Sequence, residues 1–299
     1  MQSLKDMAYA SGAVELPAPE EPPAPSSATV YTAAPGFNVY FLSVGQGDSI
    51  YMELPNGQNA LIDGGPSSSA TGSLATFLSG KSVTKIDHVV LTHPHSDHYK
   101  GLRYVFNNLT VGNFYDTRMD NTGAAADNTL RDQINTLGVK VTYPAPGDEF
   151  LWGSGGVGVK IFNSCPEPVQ SSDGHAINNC SIMLKLTYQN ASVLFTGDTE
   201  AEVEASLVTR YGNELKADVL KVAHHGSPNS SSELFLNAVM PARAYIEVGK
   251  NSYGHPAQSV LDRLIAVGAA VYRSDLDGTQ EYCADAAEPS LALGAAALY

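Results

Sequence analysis

The stretch VVLTHPHSDHYKGL, residues 89–102, sets three histidines and an aspartate within six positions directly behind an apolar run. Such a run reads as a buried strand, and a strand end holds the residues after it rigidly. On a turn there, His93 and His95 can point one way while Asp97 and His98 point another, so a single short loop can serve two metals. Imidazole suits zinc and similar transition metals, and carboxylate oxygens suit harder ones. The competing explanation is a solvated loop that happens to be rich in histidine; the placement immediately after VVLT weighs against it.

Two further clusters share this architecture. In LFTGDTE, Asp198 follows an apolar run and a glycine, where it can present an acid from a strand end or cap the helix that begins near Glu200. In KVAHHGS, His224 and His225 end the strand DVLKV. Adjacent side chains of an extended strand face opposite ways, so both serve one site only if the chain bends, for instance at Gly226. Each signal alone is weak. Three strand ends loaded with His and Asp are a pattern.

The chain has 299 residues, 43% of them hydrophobic, enough for one large domain with a sizeable core. No stretch approaches the ~18 apolar residues of a membrane span, and the first thirty residues lack a basic start followed by an apolar block. A soluble protein is expected, with neither anchor nor secretion signal in this sequence. With 31 Asp+Glu against 17 Lys+Arg, a formal net charge of −14, it is a poor candidate for a simple nucleic-acid binder relying on Lys and Arg. A metal can supply the positive charge instead. Cys165, Cys180 and Cys283 form neither a CxxC pair nor a dense framework. One bridge, between Cys165 and Cys180, requires an oxidising compartment; three unpaired thiols are the alternative.

Residues 1–36 read as a tail or linker, with five prolines between Pro17 and Pro25 favouring an extended spacer. The folded domain is expected over 37–285, with a second tail at 286–299. FNVYFLSV, SIYMEL and NALID read as strands, the last two flanking the turn PNG; a helix comes next near Leu74–Leu78, then the strand IDHVVLT. Leu130, Ile134 and Leu137 have helical spacing, with Gly138 as the stop. SIMLKLTY and ASVLFTGD form a hairpin around QN, EAEVEASLVTRYG an amphipathic helix, and DVLKVA, ARAYIEV and AAVYRS three more strands. The pattern predicts a mixed α/β chain, two sheets with helices outside.

HPHSDH, Asp63 in LIDGG, Asp198 in FTGD and HHGS resemble the metallo-β-lactamase superfamily. More narrowly, VGQGDSI, LIDGG, THPHSDH, NNCSIMLKL, LFTGD, LKVAHHGS, YGHP and YRSDLDG, in that order over about residues 37–283, are similar to the C-terminal hydrolase domain of ComEC-type DNA-uptake proteins. Some stand-alone and cell-surface phosphodiesterases, including phosphorylcholine esterases, also resemble this branch. The resemblance implies a four-layer αββα sandwich and two divalent cations, zinc first and manganese as the alternative. His93 and His95 are then expected on one metal, Asp97, His98 and His225 on the other, and Asp198 between them. His224 is left to meet the substrate. Asp63 orients the loop from behind, a support metal sites commonly need; its alternative is a turn former before Gly64. Asp48, Ser227 and His255 are expected to support the ligands or touch substrate. His88, inside a strand, reads as structural.

One position departs from many superfamily members. Asn178, in NNCS, stands where a metal-binding histidine is common, as it does in the ComEC-like branch. Asn is a poor zinc ligand and a good donor to a phosphate oxygen. His175 lies close by in sequence and can substitute, or can be an exposed loop residue. The implied reaction is phosphodiester hydrolysis by a metal-bridging hydroxide, with Asp97, His224 and Asn178 as catalytic residues and a nucleic acid or a small molecule as substrate. A phosphorylcholine-esterase-like surface enzyme and a non-catalytic metal-bearing module are the rivals. The proline-rich tail suggests a location outside the membrane behind a removed export signal.

Overall fold

The computed structural model describes residues 36–153 and 156–284. The two expected tails lie outside the described residues, apart from Gly36. Two seven-stranded mixed sheets form the centre of the molecule. The first runs, in spatial order, Gln280–Ala284, Phe37–Phe41, Ile50–Glu53, Asn59–Ile62, Lys85–Val90, Thr110–Tyr115 and Lys140–Thr142. The second runs Ala270–Arg273, Arg243–Ile246, Val219–Lys221, Ala191–Phe195, Met183–Tyr188, Val157–Asn163 and Glu149–Trp152. Each sheet is antiparallel at one end and parallel at the other.

The sheets pack face to face through one core. Val39, Phe41, Ile50 and Met52 from the first meet Ile161, Leu184, Val193 and Phe195 from the second, and the Phe41 ring stacks on Tyr245 at 4.1 Å. Because strand side chains alternate, the opposite faces carry their own apolar rows. Tyr40, Leu61 and Val89 meet helices Ser73–Gly80, Leu102–Asn108 and Ala126–Leu137. Leu194, Leu220 and Ile246 meet Ala201–Tyr211, Glu233–Val239 and Gln258–Ala266. This is the αββα sandwich. The central strands, such as Phe37–Phe41, Lys85–Val90 and Val219–Lys221, are buried on both faces, which is why they read as continuous apolar runs rather than alternating ones.

The hairpin around QN is present, with Tyr188 opposite Ala191 and Gln189 at a φ of 52°. Helix Ala126–Leu137 ends on left-handed Gly138 and buries Leu130 and Ile134; Leu137 is exposed, since the apolar stripe needs only the earlier pair. Strands Thr110–Tyr115, Lys140–Thr142, Glu149–Trp152, Val157–Asn163 and Gln280–Ala284 carry no strand expectation from sequence. Cys165 and Cys180 form a disulfide with a sequence separation of 15, so of the two cysteine readings the single bridge is the one found. It tethers helix Gly174–Asn179, which leads to Met183–Tyr188, to the loop beyond Val157–Asn163. His88 is buried and structural, stacked on Trp152 at 4.8 Å.

Candidate metal centre

Ligands in parallel sheets gather where strands end at their carboxyl side. Here five such ends converge: Asp63 after Asn59–Ile62, the 91–98 loop after Lys85–Val90, Asp198 after Ala191–Phe195, His224 and His225 after Val219–Lys221, and Glu247 after Arg243–Ile246. Backbone close to backbone makes this packing possible. A Cβ on Gly47 would lie 2.3 Å from the Asp97 carbonyl oxygen, and one on Gly197 would lie 2.8 Å from Ser181 Cβ.

Asp63 is wholly buried and adopts a φ of 58°. Its Oδ1 accepts from the Thr92 amide at 2.8 Å, and its Oδ2 from Thr92 Oγ1 at 2.6 Å and His98 Nδ1 at 2.8 Å. It is therefore the support for the histidine loop rather than only a turn former. An imidazole donating from Nδ1 presents a lone pair at Nε2, and His98 Nε2 lies 3.4 Å from Asp198 Oδ2. His225 is built the same way. Its Nδ1 donates to the Glu247 carbonyl at 2.8 Å, and its Nε2 sits 3.5 Å from both Asp97 Oδ2 and Asp198 Oδ2.

His224 and His225 both have left-handed φ values, 51° and 53°, so the segment is not extended and the opposite-faces argument does not apply. His224 Nε2 lies 3.8 Å from Asp198 Oδ2 with the ring partly exposed, while its Nδ1 is 3.6 Å from Glu200 Oε1. His255 packs on it, ring centroids 5.4 Å apart. His93 Nε2 is 3.9 Å from Asp198 Oδ2 and 3.0 Å from His95 Nδ1. Asp198 is thus shared by four imidazoles.

Donor atoms close enough to hold an ion fall into overlapping sets that include His93–His98–Asp198, Asp97–His98–His225 and Asp48–Asp198–His225. His95 is outside these sets; it leans on His93 instead of Asp198. Among the buried atoms with no hydrogen-bond partner are His98 Nε2, His225 Nε2, Asp198 Oδ1 and Asn178 Oδ1. Buried polar atoms are almost always partnered, so a cluster of unpartnered imidazole nitrogens and carboxylate oxygens fits the donor set of a divalent cation.

The electrostatics agree. Burial disfavours ionisation of Asp198, yet His225, His98 and His224 outweigh it and hold its carboxyl well below the usual range. Burial opposes charge on His98 and His225 as well, but Asp198 with Asp63 raises the first well above its ordinary value, and Asp198 with Asp48 pushes the second to about 10. Cation binding at these nitrogens requires loss of those protons. His93 is pushed well below its ordinary value by burial and by neighbouring His98, which together outweigh Asp198.

The remaining expected residues occupy the surroundings. Asp48 is buried, 3.2 Å from His225 Nδ1 through Oδ1. The Ser227 hydroxyl accepts from the Asn229 amide at 3.3 Å, turned to its own loop. Asn178 Nδ2 donates to Glu200 Oε1 at 3.0 Å, leaving its second N–H and its carbonyl oxygen for anything else. His175, largely exposed, donates to Glu200 Oε2 at 2.7 Å and is not among the ion-holding sets. Glu200, Lys221 and Glu247 carry no expectation from sequence. Glu200 stands two residues after Asp198 and ties Asn178 and His175 to the rim; Lys221 is the one charge inside LKVA.

A model of the metallo-beta-lactamase superfamily matches residues 42–118. The chain is 30% identical over 239 residues to the competence protein ComA of Neisseria gonorrhoeae, covering 80% of this chain and 31% of that protein. It is 29% identical over 261 residues to ComE operon protein 3 of Bacillus subtilis strain 168, covering 82% and 32%.

Residues 42–118 thus form part of a metallo-β-lactamase superfamily domain. The chain spans about a third of the length of these curated relatives. The superfamily fold extends beyond the matched segment: the metallo-beta-lactamase fold protein YhfI of Bacillus subtilis superposes with a TM-score of 0.53 at 13% identity, covering 83% of this chain and all of that one. The chain's sequence is similar to these competence proteins over four-fifths of its length, and its clustered His and Asp side chains could hold a metal ion. No helix among the described residues is long and apolar enough to cross a membrane.

Proposed function

We propose that the centre holds two divalent cations, zinc or manganese, and hydrolyses phosphodiester bonds. The observation that carries this reading is the convergence on Asp198 of the unpartnered, buried Nε2 atoms of His98 and His225 from one side and of the His93 ring from the other. His93 and His95 would hold one cation, Asp97, His98 and His225 the other, with Asp198 common to both. Bound there, such cations act as Lewis acids on a phosphoryl oxygen and lower the pKa of water toward about 7.

The chain's own groups divide the remaining work. Asp63 and the Glu247 carbonyl fix the ligand nitrogens of His98 and His225. His224 faces the centre, with Glu200 behind its far nitrogen at 3.6 Å and the His255 ring beside it, an arrangement suited to hand a proton to a leaving oxygen. Asn178 offers an N–H to a non-bridging phosphate oxygen. Similarity to competence proteins supports a nucleic-acid strand as the substrate, and the −14 charge means that the cations, rather than a basic surface, must attract it.

The test is a substrate panel on protein stripped with chelator and reloaded with Mn or Zn. Hydrolysis of bis(4-nitrophenyl) phosphate and of single-stranded DNA, with none of lactones or nitrocefin, is the expected result. Folded, metal-loaded protein inert on every phosphodiester overturns the proposal and leaves a metal-bearing binding module.

A further inference from the structure

Lys221 is the last residue of strand Val219–Lys221, and side-chain alternation sends it inward with Val219, leaving it 1% exposed. Its ammonium pairs with Asp48 Oδ2 and lies 3.4 Å from the Gly197 carbonyl oxygen. The other Asp48 oxygen is 3.2 Å from His225 Nδ1, and Asp48 Oδ2 is 3.8 Å from His98 Nδ1. Lysine carries an apolar stem that ordinarily lets its charge reach water. Here the charge stays inside, beside the two imidazoles whose free nitrogens face Asp198.

The placement is one-sided. Asp48 approaches His98 and His225, and the His93 ring instead meets Thr92 Oγ1 at 3.1 Å and Ser181 Oγ at 3.3 Å. A buried ion pair kept only for stability has little advantage over apolar residues of the same volume. One that fixes a carboxylate against the outer nitrogen of a ligand imidazole sets that ring's tautomer and direction.

We propose that Lys221 is a positioning residue for the Asp97–His98–His225 half of the centre: its fixed internal charge orients Asp48, whose carboxylate beside His225 Nδ1 seconds the Glu247 carbonyl in keeping Nε2 aimed at Asp97 and Asp198. The inference rests on the two-cation reading of the centre. Removing the pair therefore weakens one cation and spares the other.

The experiment is calorimetric titration of the stripped full chain with zinc, comparing wild type, Lys221→Met, Asp48→Asn and the double variant Lys221→Met/Asp48→Asn. Each single variant strands a buried charge and is expected to lower the melting temperature; the double variant removes both charges together and is expected to recover most of the loss. Wild type takes up two equivalents. The folded double variant takes up one with wild-type affinity and the second at least about tenfold more weakly, the range for loss of a ligand-orienting partner. Two equivalents bound as in wild type, or equal weakening of both, overturns the role of Lys221 while leaving the two-cation centre standing. Wild type that takes up fewer than two equivalents overturns the two-cation reading and this proposal with it.

Discussion

The two sides of Asp198 are built to different standards. On one side, His98 and His225 each have the outer nitrogen gripped at 2.8 Å, by a buried carboxylate and a backbone carbonyl, so the inner nitrogens have one direction available. On the other, His93 has only hydroxyl neighbours beyond 3 Å, His95 leans on His93, and Asn178 replaces a third imidazole. The rigid side hangs from strand ends deep in the sandwich. The loose side abuts helix Gly174–Asn179, which rests on a small separate apolar cluster of Met119, Ile177 and Cys180. Tight outer hydrogen bonds preorganise a ligand, and their absence would make the first cation of the proposed pair the more exchangeable one.

That contrast can be broken in several ways. The largest effect is expected from Asp198→Ala, which removes the group common to both sides: phosphodiesterase activity should fall by more than the about 100-fold typical of a supporting residue, with metal content by elemental analysis falling toward zero. Retained activity would mean that the two sides are not joined there. Asp63→Asn acts mainly on the rigid side, through His98, with a smaller reach to His93 through Thr92, and is expected to cost about 10–100-fold in kcat/KM. Ser181→Ala, on the loose side, should stay within a few-fold in the same assay; equal losses erase the distinction.

The disulfide sharpens the comparison from the loose side. Replacing Cys165 and Cys180 together by Ala releases a loop spanning 15 residues, worth about 3 kcal/mol on unfolding by denaturant. Because the loop carries Asn178 and His175, KM should rise while the affinity of the more tightly bound cation stays the same. Smallest at neutral pH is the effect of His88, far from either side. Burial lowers its pKa to about 4 against 6.5 when unfolded, so the unfolded chain binds the extra proton first. Stability from this group is complete above pH 6.5 and is lost as pH falls toward 4, by up to about 3 kcal/mol. His88→Phe should flatten that part of the stability profile and leave activity at pH 7.5 intact.

Strands are legible wherever apolar runs end in sharp turns, as at NALID, IDHVVLT and DVLKVA, because burial on both faces writes itself into composition. Gln280–Ala284 is not, since its polar, alternating residues become a strand only by pairing with Phe37–Phe41 across more than 230 positions. At the centre, the ligand types can be read from the sequence, but neither the choice between His224 and His225 nor the geometry can be. The left-handed backbone at His224 and His225 is a product of tertiary packing. Glu200 and Lys221 are hidden for another reason: a charge beside a motif reads as solvated until burial gives it a partner. Asn178 shows the same limit, because its engagement by Glu200 depends on a helix pinned by the disulfide.

The most direct measurement is an anomalous-scattering map from crystals of the zinc- or manganese-loaded protein. Two peaks about 3.5–4 Å apart, flanking the Asp198 carboxylate with His225 on the rigid side and His93 on the other, are the predicted result. A single peak, or peaks away from Asp198, would contradict the account.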